Sequence, residues 1–202
     1  QLDIIELDAE IRIKWPLLSK HTAVTTRFDN ELNKHGKWIK RTQVSISHVY
    51  FKNGKRHGDL KRWYPNKQLM AHFKFFNGKR EGEHKRFYQD GKLKDSFNYK
   101  EGKREGKATR WCRNGQLQMQ YMYVNDKLEG EKKKWHENGQ LNEEITYVND
   151  NREGKRSRWY DDGIMSFQST YVKNKLEGEY KEWHYNGQLK YHGYYVNDKL
   201  EG

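Results

Sequence analysis

Residues 130–154 read GEKKKWHENGQLNEEITYVNDNREG, and the fold turns on how this stretch is read. It opens and closes on glycines 24 residues apart. The same spacing links Gly58, Gly82, Gly106, Gly130, Gly154, Gly178 and Gly202. Five residues after each of the first six comes a large ring: Trp63, Phe87, Trp111, Trp135, Trp159 and Trp183. Nine after comes Gly91, Gly115, Gly139, Gly163 or Gly187, with Lys67 the exception. Eleven after comes Leu69, Leu93, Leu117, Leu141, Met165 or Leu189, and seventeen after comes Phe75, Tyr99, Tyr123, Tyr147, Tyr171 or Tyr195. Self-similarity at a fixed period marks a repeat architecture.

Each copy carries two turn signals, one like Asn138-Gly139 and one like Asn149-Asp150 or Asn77-Gly78. Gly, Asn and Asp tolerate a left-handed backbone. Two turns per copy leave two segments of about nine residues, which suits strands. The unit therefore reads as a β-hairpin, and successive units as an antiparallel meander. A three-residue loop, a type I turn followed by a left-handed glycine, puts Trp135 and Leu141 on one face. Pro65 fits the second position of that turn, where its fixed φ is welcome. Lys67, in place of glycine, predicts local strain or a different turn. Simple alternation would then bring the Tyr column, with Phe73, Phe97, Tyr121 and Ile145, onto the same face as the Trp column. Lys94, Gln118, Asn142, Ser166 and Lys190 fall between.

Upstream, Leu7, Ala9, Ile11, Ile13 and Trp15 alternate with Asp8, Glu10, Arg12 and Lys14, which predicts a half-buried strand ended by Pro16. Residues 48–58, HVYFKNGKRHG, match the second half of a repeat, and residues 36–47 read as its degenerate first strand. The expected organisation is a capping segment over 1–47 and a repeat array over 48–202, with a half repeat at 48–57 and six repeats over 58–201. Gly202 falls in register with no closing element after it. The expectation is that further repeats or another molecule cover that edge.

Composition narrows the function. Charged residues are 34% and mean hydropathy is −1.31, yet aromatics reach 14%, so burial rests on rings at regular places. No run approaches the roughly 20 apolar residues of a membrane helix. Cys112 is the lone cysteine, which fits a reducing, intracellular setting and gives no thiolate metal site by itself. A virion is the other setting considered. The net charge of +12 favours acidic partners.

The columns also argue against an active site. Glu81, Glu105, Glu129, Glu153, Glu177 and Glu201 precede each repeat glycine, and a residue present in every copy is structural rather than catalytic. His136 and His184 share a column two copies apart, roughly 19 Å, too far for one metal ion. No catalytic, cofactor or metal residue is assigned. Arg62, Arg86, Arg110, Lys134 and Arg158 form a basic column, broken by Glu182 and placed opposite the Trp face. Positive charge concentrates toward the N-terminal end, where Arg41, Lys52, Lys55, Arg56, Lys61 and Arg62 are the candidate contacts for an anionic partner, nucleic acid or lipid.

The unit G-x4-W-x2-N-G-x-L-x5-Y-x-N-G-K-x2-G, carried by Gly130, Trp135, Asn138, Gly139, Leu141, Tyr147 and the Asn77-Gly78-Lys79 turn, resembles the MORN-type repeat over residues 48–202. It resembles the variant of that repeat found in YwqK-type antitoxin-like proteins. The resemblance implies an elongated single-layer sheet of β-hairpins and a scaffold for protein partners, in some members with lipid contact. Large DNA viruses carry similar repeats, so a structural component of a virus particle is one implied role. An antitoxin-like protein that neutralises a toxin is another. The expected docking surfaces are the open C-terminal edge and the aromatic face. The chain departs from the pattern at Lys67, and at Asp126, Asp150, Asn174 and Asp198, which replace the second-turn glycine.

Overall fold

The computed structural model describes residues 3–7, 10–14, 24–28, 34–42 and 45–201, with side chains from residue 34 onward except Arg41. Among them there is no helix, and the fold is an all-β antiparallel meander of MORN-like hairpins. The chain forms two compact units, Gln1–Lys103 and Arg104–Gly202.

In the second unit the strands Gly106–Trp111, Leu117–Val124, Lys127–Trp135, Leu141–Val148, Asn151–Trp159, Met165–Val172, Lys175–Trp183, Leu189–Val196 and Lys199–Glu201 each pair with the next. The first unit follows the same rule. Lys34–Arg41 pairs with Ile46–Lys52, then Lys55–Trp63, Leu69–Phe76, Gly82–Phe87 and Leu93–Lys100 follow in order. Upstream, Asp3–Leu7 pairs with Glu10–Lys14, and Glu10–Lys14 with Val24–Phe28. The alternation from Leu7 to Trp15 therefore does not form one strand. Leu7 pairs antiparallel with Glu10, which strict apolar alternation cannot reveal. The side chains in that stretch and Pro16 lie outside the described residues.

The first turn of each hairpin has the expected three-residue loop. Gly139 N donates to the His136 carbonyl at 3.0 Å, and His136 N to the Gln140 carbonyl at 2.8 Å, with Gly139 at φ +89°. The loop at Pro65 is the same: Lys67 N donates to Tyr64 O at 3.0 Å, and Lys67 takes φ +67°. Lys67 is thus strained rather than differently built, at about 1–2 kcal/mol for a left-handed Cβ. The second turn is a two-residue type I′ loop, as at Asn149 (φ +50°) and Asp150 (φ +70°).

The placement of the columns on faces differs from the expectation. Trp135 pairs with Leu141, but Lys134 pairs with Glu143, so Asn142 is an extra residue in its strand. This β-bulge flips everything beyond it. Directly paired residues share a face, so Lys132 with Ile145 and Lys134 with Glu143 lie opposite Trp135 and Leu141. The other copies repeat the shift, as between Arg62 and Trp63. The Trp and Tyr columns therefore occupy opposite faces. The six large rings of the Trp column are each half-buried. The most buried apolar side chains, among them Leu60, Phe75, Ala108, Ile145 and Tyr171, stand on the Tyr face.

A second irregularity explains the repeat glycine. Ile145 pairs with Arg156 and Thr146 with Glu153, which leaves Gly154 and Lys155 bulged from that ladder. Gly154 sits at φ +76° with open space where a Cβ would stand. The glycine is required by its backbone angle, not by crowding.

Candidate functional site

The columns that look catalytic serve the backbone. The Glu column caps the second turn of the next copy. Glu81, Glu105, Glu129, Glu153 and Glu177 accept, through Oε2, the backbone N–H of Glu101, Asn125, Asn149, Lys173 and Asn197 at 2.8–2.9 Å. The position after the Trp column ties the first turns together. Tyr64, His136 and Tyr160 each donate to the carbonyl of the ring residue 23 positions on, Phe87, Trp159 and Trp183, at 2.8–2.9 Å. Among the described residues no group of His, Cys, Asp and Glu could hold a metal ion. Cys112 is buried, and burial raises its thiol pKa.

The departures at the second turn have a role of their own. Asp126, Asp150, Asn174 and Asp198 each accept, through Oδ1, the backbone N–H of the residue 22 positions earlier, at 2.7–2.9 Å. The same turn residue returns a bond from its own N–H to that residue's carbonyl at 3.0–3.1 Å. Gly78 and Gly102 make only the second of these bonds, to Arg56 and Arg80. The acidic or amide turn is a two-bond clamp where the glycine turn has one. The sequence shows these residues as weakened turns, because their partners are backbone atoms of another copy.

The six candidate anionic contacts do not form one patch. Lys52, Lys55, Arg56, Lys61 and Arg62 are all exposed, but Lys61 and Arg62 are consecutive in one strand and face opposite ways. Arg62 gives its Nε to Ser47 Oγ at 3.1 Å, and Arg56 lies over the Phe75 ring at 5.4 Å, both on the Tyr face. Lys52 and Lys55 flank the Asn53-Gly54 turn as a direct pair. Lys52 also lines a cleft of about 460 Å³ with Tyr50, Phe51 and His57. Arg41 ends the strand Lys34–Arg41, and its side chain is outside the described set. Arg56 belongs to a column that sequence spacing alone did not single out. Arg80 and Arg104 lie over Tyr99 and Tyr123 at 5.1 and 3.9 Å, and Arg152 over Tyr171 at 4.7 Å. The signal was present as an Arg two residues before each of four repeat glycines.

The densest charge cluster stands on the Tyr face of the second unit. Glu143 is 4% exposed and meets Lys134 Nζ at 2.6 Å, Arg158 Nε at 3.0 Å and the Arg156 guanidinium. Burial alone would raise its pKa, but hydrogen bonds from Lys134, Arg156 and Arg158 outweigh that and bring it down to about 2. Burial lowers the pKa of the adjacent Lys132. Beside this cluster a cleft of about 520 Å³ opens, with Arg156, Arg158, Phe167, Tyr171, Tyr180 and Lys190 among its lining. The first unit buries Asp95 completely in the same column, with Arg86 at 3.0 Å.

No curated protein matches the chain. Among solved structures it is similar to a mutant of TarM from S. aureus in complex with fondaparinux, alpha-GlcNAc-glycerol and UDP. There it is 19% identical over 61% of this chain and 21% of that chain, with a TM-score of 0.25. Another TarM structure is 21% identical over 60% and 21%, at 0.24. A porin-like protein from Bacteroides uniformis is 7% identical over 99% and 91%, at 0.23. The chain spans about a fifth of TarM's length, and TM-scores of this size carry no argument. The sequence profile of the MORN repeat variant matches residues 56–77, 80–101, 128–149 and 176–197. Each match begins two residues before a repeat glycine, at the Arg56, Arg80, Leu128 and Leu176 column, and runs through one hairpin to the next type I′ turn. Profile and hairpin thus share one phase, and the chain is a MORN-type repeat protein.

Proposed function

We propose that this chain is a non-enzymatic repeat scaffold that binds a protein partner through the faces of its sheet, with residues 1–47 as a cap. MORN repeats commonly serve as protein- or membrane-binding scaffolds. The observation that carries the reading is the use made of the recurring Glu, His and Tyr columns. Their functional atoms hold the backbone of the neighbouring copy, so the repeated chemistry builds the sheet and leaves its faces for contact. The test is affinity purification of the full chain from its source with nuclease and detergent washes. A protein partner retained in stoichiometric amount is expected. A chain that keeps only nucleic acid or lipid, or nothing, overturns the reading.

A further inference from the structure

We propose that the cleft between the copies starting at Gly154 and Gly178 docks a short acidic-aromatic segment of a protein partner, a carboxylate side chain next to a ring. The proposal rests on the scaffold reading and names the partner's chemistry. The strand residue paired with the basic column is Asp95 opposite Arg86 and Glu143 opposite Lys134, a carboxylate facing its own cation. Opposite Arg158 the same position holds Phe167. Arg158 therefore has no counter-ion in its own hairpin. It reaches back to Glu143 through Nε at 3.0 Å, and Arg156 and Lys134 already use that carboxylate.

One carboxylate against three cations leaves a local positive excess. The Arg158 side chain is 47% exposed, and its two terminal amino groups remain for a second acceptor. A guanidinium fork of this kind matches a carboxylate in bidentate fashion. Across the cleft, Lys190 lies 3.1 Å from Glu182, whose other oxygen accepts from the Tyr180 hydroxyl at 2.6 Å. Both groups of the pair are held in place, and the lining keeps its net positive sign. The walls are rings: Phe167 and Tyr180 meet edge to face at 5.1 Å, and Tyr171 lines the same cleft. A ring entering beside the carboxylate gains offset or edge contact with them. A volume of about 520 Å³ accommodates such a pair of side chains.

The experiment is an NMR titration of the full chain with N-acetyl-Glu-Phe-amide, N-acetyl-Gln-Phe-amide and sodium acetate. The Glu-Phe peptide should shift the amides of residues 156–190 and bind about tenfold more tightly than Gln-Phe, as one charge-assisted contact is worth. Acetate should be weaker than both peptides. Arg158→Gln should erase the difference between the two peptides. Phe167→Glu supplies the missing counter-ion opposite Arg158, so it should keep the fold and lose the Glu-Phe peptide. Equal binding of both peptides, acetate that matches them, or shifts spread over the basic positions before residue 104 would overturn the site. Affinity purification with the Arg158→Gln chain separates the two ideas. A partner still retained removes this site and keeps the scaffold, whereas a wild-type chain that retains none removes the scaffold itself.

Discussion

The two units carry the same hairpin but hold and charge it differently. Residues 1–103 contain 23 basic and 12 acidic residues, net +11, whereas residues 104–202 contain 17 and 16, net +1. The second turns differ in parallel. Asn53-Gly54, Asn77-Gly78 and Glu101-Gly102 use glycine, whereas Asn125-Asp126, Asn149-Asp150, Lys173-Asn174 and Asn197-Asp198 use a side chain that clamps the preceding copy. Where glycine closes the turn, left-handed φ is adopted without strain. Where Asp or Asn closes it, some strain is accepted in exchange for a bond between copies. One repeat pattern thus supports two solutions, a basic unit with light stitching and a near-neutral unit with heavier stitching; each buries a carboxylate, and in the second unit Glu143 forms an ionic centre with three cations.

The largest expected effect lies in that centre. Glu143→Ala leaves Lys134, Arg156 and Arg158 without their shared carboxylate and should cost about 3–5 kcal/mol, the range for breaking a buried ion pair. Urea unfolding of the full chain measures it, and a cost below about 1 kcal/mol would show that the cations find other acceptors. The pH dependence has a defined sign. The folded pKa of about 2 lies below the ordinary 4.5. The stabilisation is complete above about pH 4.5 and is lost as pH falls toward 2. In the first unit the buried His84 acts in the same direction, at the higher pH where histidine titrates. Burial among Phe73, Phe75 and Tyr99 holds its pKa below the usual histidine value, so protonation there opposes folding as the pH drops.

The repeat, the hairpins, the three-residue loop and the Trp–Leu pairing were legible in the sequence because each is a local, periodic feature. The sides of the sheet were not. Asn142 looks like one more polar residue between Leu141 and Glu143, yet as the extra residue of a bulge it reverses every face assignment beyond it. Alternation counts residues, and a bulge changes the count without changing composition. The Glu and Asp columns were legible as repeated but not as useful, since their partners are N–H groups 20 or 22 residues away. The cluster at Glu143 needed three side chains from two hairpins, which no single copy displays.

A smaller effect sharpens the contrast in turns. Lys67 occupies the left-handed position that Gly91 fills one copy later, at φ +67° against +87°. Lys67→Gly removes the Cβ strain but adds freedom to the unfolded chain, so the net gain should be about 0.5–1 kcal/mol. A rise in the urea midpoint checks this. A loss of stability would mean that the Lys67 side chain contributes a contact larger than the strain.

Two substitutions at one position isolate the clamp itself, and the second of them carries the smallest expected effect. Asp150 takes φ +70° and accepts the Leu128 N–H at 2.7 Å, in an exposed turn. Asp150→Ala loses the side-chain bond and keeps the left-handed strain, so it should cost about 1–2 kcal/mol. Asp150→Gly loses the same bond but relieves the strain, and should lie within about 0.5 kcal/mol of the native chain. The gap between the variants measures the strain, and the deficit of the alanine variant measures the clamp. Hydrogen exchange at the Leu128 amide provides the local readout: it should quicken in both variants, because that amide loses its acceptor in both. If Asp150→Gly instead stabilises the chain by more than about 0.5 kcal/mol, the clamp contributes little. The two kinds of turn would then differ in charge alone.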